Sequence, residues 1–262
     1  MRRPKAFWMC LLATMFPASL SLLSQSSVPL TITGLGSREV HLALYDPTAH
    51  QAFVEFFADR DWAKLQSLAV VLTNSSPRAI IGLTVRWTVT EQSGDVHTHD
   101  YRTDGLFLRR TAVVPAGRQA IITPSIVLPS TLVGGGYVGP SPDGVDSDLE
   151  KFSQAAAINV SVDALIFEDG LVLGPDHTST VASIEARKAA ADSIVLAVRQ
   201  AKEHGEDVPE LLSRLAAAQS DQSDFTGIWS ARIVGLFRGV QDVEPLLAKL
   251  AGLPKPNFHR DR

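Results

Sequence analysis

Leu68, Val70 and Leu72 alternate with Ala69, Val71 and Thr73. After the run Asn74-Ser75-Ser76-Pro77-Arg78, Ile81, Leu83, Val85, Trp87 and Val89 alternate with Gly82, Thr84, Arg86, Thr88 and Thr90. Successive side chains of a strand point to opposite faces, so each pattern presents one buried and one wetter face. The two segments are expected to be neighbouring strands of an antiparallel sheet, with Trp87 as a core anchor. Ile158, Val160, Val162, Ala164 and Ile166 repeat the pattern against Asn159, Ser161, Asp163 and Leu165. Glu168-Asp169-Gly170 then predicts a tight reversal into Leu171–Leu173, because Asp-Gly between apolar strands suits a turn with positive φ.

Shorter strands are expected at Val28–Thr33, Glu39–Tyr45, Val96–Tyr101 and Thr111–Val114. Gln119–Val127 reads as one more, interrupted by Pro124 and so placed at a sheet edge. Phe53, Phe56, Phe57 and Trp62 mark a short helix or an aromatic loop over a sheet edge. After Pro175 the period lengthens. Val181, Ile184, Ala191, Ile194, Val195 and Val198 recur at helical spacing up to Gly205, a helix-ending residue. Leu211, Leu212 and Leu215 continue the pattern, followed by the Phe225–Val240 stripe with Trp229 and then Leu246, Leu247 and Leu250. Together these predict an α+β, mainly β protein: an antiparallel sandwich over residues 28–176, a helical segment of about four helices over 177–253, and a flexible tail over 254–262.

The amino terminus changes the setting. Arg2, Arg3 and Lys5 precede an uncharged apolar run centred on Phe7–Leu23, interrupted by Pro17 and serines. A basic start, a short apolar stretch and small residues beyond it describe a secretory signal peptide over residues 1–27; the run is too short and too serine-rich for a membrane span. The expected location is the periplasm or the exterior, with membrane contact only through an uncleaved signal. Cys10, the single cysteine, lies inside that segment, so the mature chain would hold no thiol nucleophile, thiolate metal site or disulfide. Loss of Arg2, Arg3 and Lys5 removes three positive charges from a net −4 and leaves −7. That balance disfavours nucleic acid and anionic membrane surfaces as partners.

Candidate chemistry is sparse. Gly134, Gly136 and Gly139 satisfy the spacing of a dinucleotide fingerprint, but Pro140 and Pro142 follow where a helix should begin. The surrounding Gly/Pro/Asp-rich stretch, 131–150, reads as a long loop. Asp143, Asp146, Asp148 and Glu150 at its end are candidate oxygen ligands for calcium, although their spacing misses the EF-hand pattern. His97 and His99 share one strand face and would need further ligands to hold zinc. Ser141 sits in a run whose Pro142 removes an N–H that an oxyanion hole would use. Trp62 and Tyr137 could offer a stacking surface for carbohydrate. Asn74 and Asn159 open glycosylation sequons.

The strand series Leu68–Leu173, carried by Leu68–Thr73, the Asn74–Arg78 turn, the Trp87-bearing strand and Ile158–Phe167, resembles an immunoglobulin-like or fibronectin-type sandwich. The whole chain is similar in build to bacterial exported sandwich-plus-helix proteins. Such a resemblance implies two packed antiparallel sheets and an adhesive, scaffolding or binding role, and transfers no site residues. The functional expectation is a non-enzymatic exported module that binds another protein through the sandwich edge or the helical segment, with no resident cofactor. An exported hydrolase working between the sandwich and the 131–150 loop, or a calcium- or carbohydrate-binding module, are the alternatives.

Overall fold

The computed structural model describes residues 28–58, 60–105, 112–129, 142–217, 224–237, 240, 242–254 and 257–260. Nine strands form two sheets among these residues. In chain order they are β1 (Leu30–Thr33), β2 (Val40–Leu44), β3 (Val70–Asn74), β4 (Ile80–Glu91), β5 (Val96–Asp104), β6 (Gln119–Thr123), β7 (Ile126–Pro129), β8 (Ala155–Phe167) and β9 (Val172–Leu173). The first sheet runs β1-β8-β4-β5, with β9 also paired to β8; the second runs β2-β3-β6-β7.

The pairing differs from the sequence expectation in two ways. β3 and β4 are not sheet neighbours: β3 pairs with β2 and β6, β4 with β5 and β8. The turn between them therefore crosses from one sheet to the other. Asn74 fastens that crossing from a fully buried position. Its side-chain amide donates to the Arg78 and Pro115 carbonyls at 2.8 and 3.2 Å, and its Oδ1 accepts from the Ser76 N–H at 3.1 Å. Nor is the arrangement wholly antiparallel, because β1 runs parallel to β8.

The inner faces meet in one core. Val70, Leu72, Ala120 and Ile122 of the second sheet pack with Leu83, Val85, Trp87, Val89, Ile158, Val160 and Val162 of the first. Trp87 is 0% exposed, and its indole N–H donates to the Leu68 carbonyl at 3.1 Å. The outer face of the second sheet is covered by the 49–65 region, which forms 3-10 turns and the four-residue helix α1 (Arg60–Ala63). Phe53, Phe56 and Phe57 there bury Val71, Ile121, Ile126 and Leu128. Pro124 does not interrupt a strand; with Ser125 it makes the turn between β6 and β7, and β7 takes the edge.

A bulge at Asp163 reorganises β8. Val85 pairs with Val162 and Thr84 with Ala164, which leaves Asp163 as the extra residue. Beyond a bulge the side chains change face. Leu165 and Phe167 therefore join the main core, while Ile166 turns outward with Ile81, itself displaced by a second register shift next to Ile80. Both now meet Ile184 of helix α3 (Thr180–His204). That outward patch is what seats the helices on the sandwich.

Helix α2 (Pro142–Glu150) occupies the end of the stretch expected as a loop; the 131–141 part lies outside the described residues. Val145 and Leu149, one turn apart, supply its buried side. After α3 come α4 (Val208–Ala217), α5 (Phe225–Gly235) and α6 (Glu244–Ala251). Gly205, at φ 70°, ends α3 in the left-handed conformation that glycine adopts freely. The apolar stripes close on one another: Ala191, Ile194, Val195 and Val198 of α3 pack with Leu212, Ile233, Val234, Leu247 and Leu250. Strands and helices take comparable shares of the described residues, so the protein is mixed α and β.

The carboxyl-terminal segment also departs from expectation. Asn257–Arg260, placed by sequence in a flexible tail, lie along the β8–β9 hairpin. The Val172 N–H donates to the His259 carbonyl at 2.8 Å, and the His259 N–H to the Gly170 carbonyl at 3.0 Å. Glycine at the hairpin makes this close packing possible. A Cβ on Gly170 would lie 2.3 Å from the Asn257 carbonyl oxygen, and one on Gly174 (φ 93°) would lie 2.6 Å from that of Asp163. Gly174→Ala is expected to cost about 1–3 kcal/mol from backbone strain alone, read as a lower urea midpoint; an unchanged midpoint would contradict the tight approach.

Candidate functional site

The outer face of the first sheet carries an apolar patch, Ile81 and Ile166, where α3 crosses it. Beside that crossing, β4 and β5 present Thr84, Arg86, Asp100, Arg102 and Asp104, and helix α5 stands over them. Between sheet and helix lies a cleft of about 640 Å³ lined by Arg86, Asp100, Arg102, Asp104, Thr178, Ser183, Phe225, Ile228, Trp229 and Arg232.

Strand register places the first ion pair. Arg86 and Asp100 are directly opposed across β4 and β5, and the guanidinium grips the carboxylate through Nε at 2.7 Å and Nη2 at 3.0 Å. This bidentate contact raises the Arg86 pKa further. A second bidentate pair joins sheet to helix: Arg187 of α3 donates to both oxygens of Asp104 at 2.7 and 3.0 Å, with the two side chains only 7% and 11% exposed.

Trp229 forms the wall above that pair. Its indole N–H donates to Ser183 Oγ at 3.1 Å. The Arg187 guanidinium lies 4.9 Å from the ring centroid and the exposed Arg232 guanidinium 5.0 Å. Both cations use the electron-rich indole. Phe225 and Ile228, half-buried on the same helix, complete an apolar wall. Asp224 starts α5 by accepting from the Thr226 N–H at 2.8 Å, which satisfies one of the free donors at the helix start.

Arg102 and Arg232 differ from the other two arginines. Among the described residues neither has a carboxylate within ion-pair distance, and Arg102 donates there only to the Thr178 carbonyl, at 2.6 Å. Desolvation by the surrounding protein lowers the Arg102 pKa against the pull of Asp176, Asp100, Asp163 and Asp104. Guanidinium stays charged at any physiological pH, so the cleft keeps two cations with donor capacity to spare.

The floor is held by the turn before α3. Asp163, buried at the bulge, accepts from the His177 and Thr178 N–H groups, each at 2.9 Å, and from the Thr178 hydroxyl at 2.6 Å. The Thr178 and Thr84 hydroxyls each contact the Thr180 hydroxyl, at 2.9 and 2.7 Å. Asp176, with positive φ, accepts from the Thr180 N–H at 2.6 Å and so caps α3. Burial works to raise the Asp163 pKa, but the Thr178 and His177 donors and nearby Arg86 outweigh it and hold it below the ordinary aspartate value. A depressed folded pKa stabilises the fold above the unfolded value of about 4 and loses that contribution as pH falls through the folded value. Thermal melts of the wild type should therefore drop steeply below about pH 4, and Asp163→Asn should flatten part of that fall; an identical acid profile for the variant would contradict this role.

The sequence-derived candidates fall elsewhere. Asp146, Asp148 and Glu150 lie on α2, where 100° per residue puts Asp146 and Glu150 on one face and Asp148 on the other. Asp146 pairs with Lys64 at 2.7 Å, while Asp148 accepts from Ser125 Oγ and Lys151 Nζ, each at 2.6 Å. The side chain of Asp143 lies outside the described residues, as do Gly134, Gly136, Tyr137, Gly139 and Ser141. With Asp146 and Asp148 held apart, millimolar calcium is expected to leave the melting temperature unchanged; a clear rise would show that the carboxylates converge on an ion. His97 and His99 each engage a backbone carbonyl through Nε2, those of Lys151 and Pro124, at 3.0 Å. Trp62 packs into the aromatic layer against Phe56.

Apart from the spacing of Arg232 to Trp229 on one helix, no arginine of the cleft carries a local sequence signal. Arg86 reads as the wet side of an alternating strand, and Trp229 as one position in a helical stripe. Only the strand register and the docking of α3 bring them together. Compared with family models, curated protein sequences and solved structures, the chain matches none.

Proposed function

We propose that the chain is an exported, periplasmic or secreted, non-catalytic binding module: an immunoglobulin-like sandwich with a helical appendage that recognises another protein through the cleft between β5 and α5. Topology supports the sandwich part. β3 and β6 are neighbours in one sheet and β4 and β8 in the other, alternating along the chain as the B, C, E and F strands of such sandwiches do. The parallel β1–β8 contact is a departure from a purely antiparallel design. The basic-then-apolar start of the chain supports export. Among the described residues no helix is long and apolar enough to cross a membrane.

The observation that carries the binding reading is that Arg102 and Arg232 have no carboxylate within ion-pair distance among the described residues and line the cleft together with Phe225, Ile228 and Trp229. Binding suits this chemistry better than catalysis. Guanidinium groups do not exchange protons, and Asp100 and Asp104 are each held in a bidentate pair. The test is substitution on the wall. Ile228→Glu is expected to abolish co-purification of the partner from the native envelope while leaving the melting temperature near wild type. Leu196→Glu, on an exposed part of α3 away from the cleft, is expected to leave co-purification intact. The opposite pattern would move the binding surface to the helical bundle.

A further inference from the structure

We infer that the group the partner places in the cleft is a carboxylate side chain beside an apolar residue, that is, a short acidic segment of polypeptide, with Arg102 and Arg232 as its cationic contacts and Phe225 and Ile228 as the apolar seat. The inference rests on the reading of the cleft as the partner-binding surface and specifies the chemistry of what enters it.

Three features select this ligand. The first is the arrangement of the two guanidinium groups that have no carboxylate partner among the described residues. Arg232 lies over the Trp229 ring, with Arg187 also within cation–π distance of that ring; a planar guanidinium on an aromatic ring still has its N–H edge for a carboxylate. Arg102 supplies a second donor group from the sheet side of the cleft, with its only described hydrogen bond made to the Thr178 carbonyl. The second is the presence of Asp100 and Asp104 among the lining residues. They neutralise Arg86 and Arg187, and Asp176 and Asp163 act on Arg102 as well, so little net positive charge is left and the cleft suits a singly charged carboxylate better than a compact dianion such as phosphate. A nucleic acid is disfavoured further by the net negative charge of the whole chain. The third is the carbon surface. Phe225 and Ile228 are half-buried, and an apolar residue next to the carboxylate would complete their removal from water. A bare anion would leave them wet.

The probe is a random heptapeptide display library panned on the intact, purified protein, followed by fluorescence anisotropy with the most enriched peptide. Enriched peptides are expected to carry Asp or Glu next to an aromatic or aliphatic residue. Arg102→Gln and Arg232→Gln should each weaken the leading peptide by about ten-fold or more, the scale of a charged hydrogen bond. Arg199→Gln, on the exposed side of α3, should not change it. Should Arg232→Gln lower the melting temperature, Arg232→Lys, which keeps the charge without the flat fork, is expected to bind weakly yet melt as wild type. Enrichment without acidic residues, equal binding by the arginine variants, or displacement of the peptide by inorganic phosphate at concentrations no higher than its own would each overturn the inference. If the peptide arm fails while Ile228→Glu still abolishes co-purification of the partner, the cleft remains the binding surface and only the assigned chemistry falls.

Discussion

Asp104→Ala is expected to destabilise the protein by about 3–5 kcal/mol, because it strands a buried guanidinium. The Arg187–Asp104 contact is the polar bolt between α3 and the edge of the first sheet, bidentate and nearly solvent-free. Its net worth as an attraction is modest, since both ions were desolvated to form it. The large cost comes from removing one partner and leaving the other a buried charge without its bidentate carboxylate. The same reasoning fixes the outcome of the double replacement: Asp104→Leu with Arg187→Met should recover most of the lost stability, since no charge is left buried. Urea denaturation of the two variants checks both statements. Equal losses in the single and double variants would show that packing, not charge, dominates at this position.

Trp87→Ala is expected to cost about 3–5 kcal/mol, the second large effect. Trp87 is the largest of the fully buried side chains, and it also occupies the Leu68 carbonyl. Trp87→Phe keeps much of the volume and loses that hydrogen bond, so its cost should be clearly smaller. Because Trp87 stands between the sheets and not at the cleft, neither variant should change binding once corrected for the unfolded fraction. A cost near zero for Trp87→Ala would mean that the two inner faces do not meet as described.

The parts of the fold legible in the sequence were those written in local periodicity. Trp87 as an interior anchor, the reversal at Asp169-Gly170 and the helix end at Gly205 depend on residues within a few positions of one another. Sheet membership does not. Alternation in β3 and β4 states that each has an inner face but not which strand lies beside it, so a crossing between sheets and a hairpin look alike. The Asp163 bulge escaped for a related reason. An inserted residue inverts the faces of Leu165 and Ile166, yet both are apolar, so the composition of the strand conceals the inversion. The carboxylates of the 142–150 helix resemble a ligand cluster in sequence because they are close along the chain, but a helix turns Asp148 away from Asp146.

The cleft was illegible for a different reason. Its arginines come from β4, β5, α3 and α5, and nothing in the sequence around any of them marks buried Arg187 off from the more exposed three. One weak trace existed, Trp229 and Arg232 three apart on a helix, a spacing that stacks side chains. Its meaning depended on Arg187 arriving at the same ring from another helix. Proximity of this kind is created by the seating of Ile184 on Ile81 and Ile166, and those contacts are themselves products of the two register shifts in the first sheet. The site thus depends on irregularities in the strands, which pattern reading averages away.

Where a partner touches the molecule decides the matter most directly. A photo-activatable residue placed at Phe225, with a matched one at Leu196, and illuminated in intact cells, reports that contact before any purification. A discrete higher-mass adduct from Phe225 and none from Leu196 is the expected result. Adducts from Leu196 alone, or the same background from both positions, would contradict the claim that this protein works through the cleft between its sheet and helix α5.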